Sequence, residues 1–206
     1  MYLPEELEKK YSELRKDILA RLDDFANVPE DDYFYELCYC VCTPQSKAEN
    51  AYKVELKLRE ADFLNTPMDP TPFLEDRSHY IRFHNQKAKR LQQVKENYDE
   101  IHKIVTSGIS TEEKRTWLTE NVIGFGMKES SHFLRNIGHR DIAILDRHVL
   151  KHLVLCGVYK EIPKVASVKN YLAVEKNFAK FAGKTGIPMD ELDMLFWSYE
   201  SGIILK

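Results

Sequence analysis

Glycine and proline are scarce, with eight of each in 206 residues. That excludes a low-complexity or collagen-like chain. No run approaches 18 uninterrupted apolar residues, so the sequence offers no transmembrane helix and no membrane partner is expected. Cysteine is limited to positions 38, 40, 42 and 156. No C-x2-C pair occurs, so the usual spacing of a structural metal site is absent. Three of the four alternate within the apolar run FYELCYCVC and read as small buried hydrophobes. Clean period-2 alternation is missing too, and no hairpin turn is flanked by strands, so no sheet is expected. The first residues, MYLPEELEKKYSEL, lack the apolar core of a secretory signal, and a cytoplasmic location is expected.

What remains is helical spacing, and the expected fold class is all-α. Leu3, Leu7, Tyr11, Leu14, Ile18 and Leu22 form one stripe, which predicts a helix over about 3–26. Residues 32–42 read as a short, almost wholly buried helix. Thr43-Pro44 is expected to open the next one, with proline at its first position, running to about 61. NTPMDPTPF (65–73) reads as a loop, and 78–106 as helical with a break near Asn97. Further helices are expected at Thr111–Glu120, at about 147–156, at 164–183 and at 189–199. The pattern suggests two helical lobes with a cleft between them.

Charge is unevenly spread around a formal net of −3. Residues 1–76 carry nine Lys+Arg against eighteen Asp+Glu, residues 77–160 carry fifteen against nine, and residues 161–206 carry six of each. All seven histidines also fall in the middle segment. A basic centre suits a face that meets phosphates. A solvated helical surface gives the same pattern, so charge alone leaves both readings open.

The densest chemistry lies in WLTENVIGFGMKESSHFLRNIG. One helix ends near Asn121, Ile123-Gly124-Phe125-Gly126 forms a hairpin, and Met127-Lys128 opens the next helix. Gly124 and Gly126 allow a tight turn and close backbone approach to a ligand. The N–H groups at the new helix start can hold a phosphate. Eighteen residues after Lys128 comes Asp146, in AILDRHVLKHL. Read alone, Lys128 could be a phosphate-contacting surface lysine and Asp146 a helix N-cap.

The combination resembles the helix-hairpin-helix DNA glycosylase superfamily, whose pattern is an apolar residue, Gly, any residue, Gly, any residue, Lys, and then Asp some eighteen residues on. CTPQSKA (42–48) is similar to that superfamily's S-x-Q helix start, with Gln45 in the place of the residue that enters the duplex gap. The iron–sulfur cysteines of the endonuclease III branch are missing. Within the superfamily the chain resembles the compact archaeal-type (type 2) 8-oxoguanine DNA glycosylase/AP lyases. GFGMKESSHFLRNIG, the DRH triplet at 146–148, RFHNQKAKRL (82–91) and a terminal Lys a few residues after a Trp carry that likeness.

The resemblance implies one helix-hairpin-helix glycosylase domain over 1–206, with the motif at about 112–137. It implies a bifunctional enzyme acting on double-stranded DNA that contains 8-oxoguanine or abasic sites, at the nucleoid and as a monomer. Lys128 is the expected nucleophile and must attack as a neutral amine. The positive end of the helix dipole disfavours an ammonium there, and burial disfavours it further. Asp146 is expected to balance the cationic sugar and to help move protons.

Phe83 and Trp197 are candidate stacking partners for an extruded base; aromatic residues at helical spacing are also common core residues. Lys206, at the end of the apolar tail SGIILK, is implicated in telling 8-oxoguanine from guanine. Gln45, Gly124, Gly126, Arg147 and His148 are the expected DNA contacts, with Arg135 and Arg140 as further phosphate candidates. No cofactor is expected, beyond a monovalent cation that backbone carbonyls of the hairpin often hold in this family. His148 and His152 lie one turn apart but lack a third ligand for zinc. Two alternatives stay open: a glycosylase for oxidised pyrimidines, and a non-catalytic helix-hairpin-helix DNA-binding module.

Overall fold

The computed structural model describes residues 1–206 and contains helices and turns but no strand. The chain divides into a continuous unit, Val28–Ile137, and a composite unit built from Met1–Asn27 and Gly138–Lys206. The continuous unit holds a 3-10 turn at Glu30–Asp32 and helices α2 (Tyr33–Cys42), α3 (Ala48–Glu60), α4 (Thr71–Glu75), α5 (His84–Glu96), α6 (Tyr98–Thr106), α7 (Thr111–Asn121) and α8 (Met127–Asn136). The composite unit holds α1 (Glu5–Ala26), α9 (Arg147–Leu155), α10 (Val168–Thr185) and α11 (Met189–Ser201).

The continuous unit is organised around α2. Every residue from Phe34 to Cys42 is buried, and α3, α5 and α8 pack around it. A helix apolar on all sides has to be central. Phe34 meets Tyr35 and Tyr98 edge-on, with centroids 5.2 and 5.0 Å away, a favoured aromatic geometry. The one acid on α2, Glu36, is buried and accepts a hydrogen bond from Asn136 Nδ2 at 3.1 Å. Ser110 caps α7 through a reciprocal pair with Glu113, as the S-x-x-E spacing implies.

Three expected boundaries in the continuous unit shift. The helix expected from Pro44 begins instead at Ala48. Gln45 adopts a left-handed φ of 57°, and Ser46 N–H bonds back to the Thr43 carbonyl at 3.0 Å, so Thr43–Ser46 is a turn. The loop expected over 65–73 is interrupted by α4, because the Asp69 carboxylate accepts from the Thr71 N–H and hydroxyl at 2.9 and 2.7 Å. Residues 78–83 are not helical. Asp76 holds Ser78 in a side-chain turn, and Phe83 is left-handed at φ 61°, so α5 starts at His84. The break at Asn97 falls where expected.

In the composite unit α11 is central, against α1, α9 and α10. Met189 to Phe196 are all buried, including Asp190, Glu191 and Asp193. Leu7, Ile18, Leu22 and Phe25 supply the buried stripe of α1. Glu191 accepts from the Tyr11 hydroxyl at 2.5 Å, and Asp190 accepts from the Asp141 N–H at 3.3 Å. Gly138, at φ 92°, lies against the Ala26 backbone, where a Cβ would come within 3.1 Å of a main-chain atom. No helix is long and apolar enough to cross a membrane.

Candidate active site

Within the continuous unit, α7 closes at Val122 and the chain reverses through the expected hairpin, with Phe125 N–H bonded to the Val122 carbonyl at 3.0 Å. Gly124 sits at φ 89°, and the Arg90 guanidinium lies 2.6 Å from where a Cβ would be. Both the backbone angle and the contact therefore favour glycine. Gly126 is extended and leaves the start of α8 without a side-chain cap. Glu129 reaches back to the Gly126 N–H at 3.3 Å. An uncapped helix start attracts anions.

Lys128 is the second residue of α8. Its side chain is 28% exposed, with Nζ 3.6 Å from Glu129 Oε1. α8 is locked to α7 beside it: the Thr119 and Ser130 hydroxyls are 3.0 Å apart, and Arg115 donates to Ser131 at 3.3 Å. The amine therefore projects from a fixed helix.

Gln45 and Phe83 are both exposed and both have positive φ. The Arg82 guanidinium lies over the Phe83 ring, 4.8 Å from its centroid. Beside them stands a residue the sequence reading missed. Lys87 is only 2% exposed and donates to the carbonyls of Cys42 and Pro44 at 2.8 and 2.6 Å and to Ser46 Oγ at 3.1 Å. Burial pushes its ammonium down to about 8, and neighbouring Arg90 and Lys128 reinforce the shift. A lysine so shifted fits the profile of a nucleophile. Its geometry rules that role out, because three oxygens occupy its donors and the side chain is almost wholly buried. The signal was available: Lys87 stands on the buried stripe it shares with Leu91 and Val94.

In the composite unit Asp146 caps α9. Its Oδ1 accepts from the His148 and Val149 N–H groups at 2.8 and 2.9 Å, so the cap leaves Oδ2 unused. Arg147 is exposed and its Nε lies 3.1 Å from His148 Nε2. The histidine pair faces Glu200, which the sequence reading also missed. Glu200 lies 3.8 Å from His148 Nδ1, 3.1 Å from His152 Nε2 and 2.7 Å from Lys151 Nζ. The Lys151 hydrogen bond holds the Glu200 carboxyl below its ordinary range, while burial lowers His152.

Trp197 is half-buried on α11. Of the tail, Ile203 is exposed whereas Lys206 is buried, so the end of the tail packs down rather than its whole apolar length. Arg21 of α1 donates to the Leu205 carbonyl.

One arginine differs from expectation. Arg135 is turned inward, buried against Asn136 Oδ1, and so cannot meet a phosphate. Arg140 is exposed and donates to the Leu22 carbonyl at 2.9 Å. All four thiols are buried and none is disulfide-bonded. Burial pushes Cys42 and Cys156 up to about 12, so both remain thiols and neither is an activated nucleophile.

Lys128, Gly124, Gly126, Gln45 and Phe83 thus belong to the continuous unit, and Asp146, Arg147, His148, Trp197 and Lys206 to the composite one. Residues 18–187 match the family model described as 8-oxoguanine DNA glycosylase. An 8-oxoguanine DNA glycosylase/AP lyase of Fusobacterium nucleatum is 37% identical, covering 98% of this chain and 96% of that protein. That of Methanocaldococcus jannaschii is 32% identical over 97% and 96%. The crystal structure of the M. jannaschii 8-oxoguanine glycosylase/lyase with a 15mer DNA containing 8-oxoguanine matches at TM-score 0.83 and 31% identity, covering 96% of this chain and 98% of that one. The Thermotoga maritima 8-oxoguanine DNA glycosylase matches at TM-score 0.84 and 30% identity, over 98% and 97%. On sequence and fold together, the chain belongs to the 8-oxoguanine DNA glycosylase family.

Proposed function

We infer that this protein excises 8-oxoguanine from duplex DNA and then cleaves the strand at the resulting abasic site. The observation that carries the chemistry is an amine in the first turn of an uncapped helix, directly behind a glycine hairpin. Gly124 and Gly126 let the DNA backbone approach, and the start of α8 offers N–H groups to a phosphate. Lys128 attacks C1′ as the N-glycosidic bond breaks, and the base leaves with the bonding electrons and takes up a proton. Opening of the sugar ring gives a Schiff base. Loss of a C2′ proton then expels the 3′ phosphate, and water releases the lysine. Asp146, with Oδ2 outside its cap, supplies the negative charge that offsets the cationic sugar. No cofactor enters these steps.

Phe83 presents a ring to stack on the extruded base, and Trp197 offers a second aromatic face. The burial of Lys206 supports a role for it in reading the base. Gln45 enters the gap left in the duplex, and Arg147 and His148 contact the backbone. The test is single-turnover excision from otherwise identical duplexes containing 8-oxoguanine, guanine or an oxidised pyrimidine. The expected result is base release and strand cleavage at 8-oxoguanine alone. Release of the oxidised pyrimidine with 8-oxoguanine untouched would overturn the substrate. Binding without release from any duplex would leave only a DNA-binding module.

A further inference from the structure

Two exposed residues of the continuous unit, Gln45 and Phe83, hold left-handed backbones although neither is glycine. Such conformations are strained for a residue with a Cβ and persist only where the surroundings over-determine them. One oxygen serves both. Ser46 Oγ accepts from Lys87 Nζ at 3.1 Å and from the Arg82 N–H at 3.0 Å, so it joins the residue after Gln45 to the residue before Phe83. Lys87 fastens the same turn twice more, through the carbonyls of Cys42 and Pro44.

The ammonium is buried without a carboxylate among its hydrogen-bond partners. It sits instead at the C-terminus of α2, where Cys42 is the last helical residue and unsatisfied carbonyls favour a cation. A buried ammonium that fastens a surface turn in three places holds its conformation in advance, which removes the ordering cost when the turn is pressed into a duplex.

We propose that Lys87, acting through Ser46, is the positioning residue that locks Gln45 and Phe83 into one rigid two-pronged element for engaging the opened duplex. This rests on the reading of Gln45 as the residue that fills the gap, and it assigns a role to side chains that touch neither DNA nor the reacting atoms.

The experiment compares wild type, Ser46→Ala, Lys87→Met, Gln45→Ala and the Gln45→Ala/Ser46→Ala double variant. Two substrates are used: a duplex carrying 8-oxoguanine with 2-aminopurine beside it, and a single-stranded oligonucleotide carrying an abasic site, which has no gap to fill. Ser46→Ala is the principal variant, because Lys87→Met strands two carbonyls and can unfold the turn. Ser46→Ala is expected to lose about tenfold or more in duplex excision and in the 2-aminopurine step, with single-strand cleavage unchanged. The double variant should be no worse than Gln45→Ala alone. Additive losses, or equal losses by Ser46→Ala on both substrates, overturn the clasp. A silent Gln45→Ala overturns it as well, by removing what the clasp would position. Absence of abasic-site cleavage by wild type in duplex as well as single-stranded DNA would instead mark failure of the lyase reading itself.

Discussion

Helix α2 centres the continuous unit and α11 the composite one, and the two are buried by opposite means. α2 is apolar around its circumference, with Glu36 its single acid, and hydrophobic packing places it. α11 buries Asp190, Glu191 and Asp193 within its first five residues. These acids sit at the positive end of the helix dipole, and at least two are answered by donors, Tyr11 and the Asp141 N–H. The helix starts that hold the two proposed catalytic residues differ in the same way. α8 opens uncapped, with Lys128 beside it, whereas α9 opens under Asp146, whose Oδ1 is already engaged. An open start can receive a phosphate. A capped start holds its carboxylate still and leaves one oxygen outside the cap.

The sharpest break of that contrast is Asp146→Asn. Asparagine also caps helices, so the protein should fold with little change in Tm. Excision should fall by about 10²–10⁴-fold, the usual worth of a positioned proton-transfer group. Full activity in single-turnover assays would leave Asp146 with the cap alone.

The two burial modes predict unequal stability losses. Phe34→Ala, in the aromatic core around α2, should cost about 3–5 kcal/mol in denaturant unfolding. Tyr11→Phe removes one hydrogen bond to the Glu191 carboxylate and should cost about 1.5–3 kcal/mol. Equal losses would mean that α11 depends on its acids as heavily as α2 does on packing.

Deleting Lys206 should lower 8-oxoguanine excision by about 10–150-fold, which is the loss of a charge-assisted hydrogen bond of about 1.5–3 kcal/mol. Cleavage at an abasic site, where no base is read, should fall much less. Equal losses on the two substrates would make the tail a support of the fold.

The last comparison takes one thiol from each unit. Burial raises Cys42 and Cys156 to about 12, so above the ordinary value near 9 the unfolded chain holds fewer protons than the folded one. Stability should therefore fall as pH rises from about 9 to about 12. Replacing either cysteine by alanine should flatten that fall by about 1.4 kcal/mol per pH unit, measured by denaturant unfolding across the window. An unchanged slope would show that the thiol titrates as it does in the unfolded chain.

Local features were legible in the sequence. The capping pair Ser110–Glu113, the hairpin at Gly124 and Gly126, Lys128 at the start of α8 and the Asp146 cap each depend on residues within a turn of one another. What escaped depends on contacts distant in sequence. The start at Pro44 looked sound by helix-start rules, but Lys87, more than forty residues on, holds the turn that defeats it. Glu200 meets His152 and Lys151 from the far end of the chain, and the tail is fastened by Arg21 of the first helix. No spacing rule reports such pairs. Lys87 alone left a trace, as a charge on an apolar stripe.

The central claim is that Lys128, and not the shifted but enclosed Lys87, forms the covalent link to DNA. Borohydride trapping on a duplex containing 8-oxoguanine tests it directly. Wild type should give a reduced protein–DNA adduct. Lys128→Gln should bind the same duplex and give none. An adduct of wild-type yield in Lys128→Gln would place the nucleophile elsewhere and contradict the account.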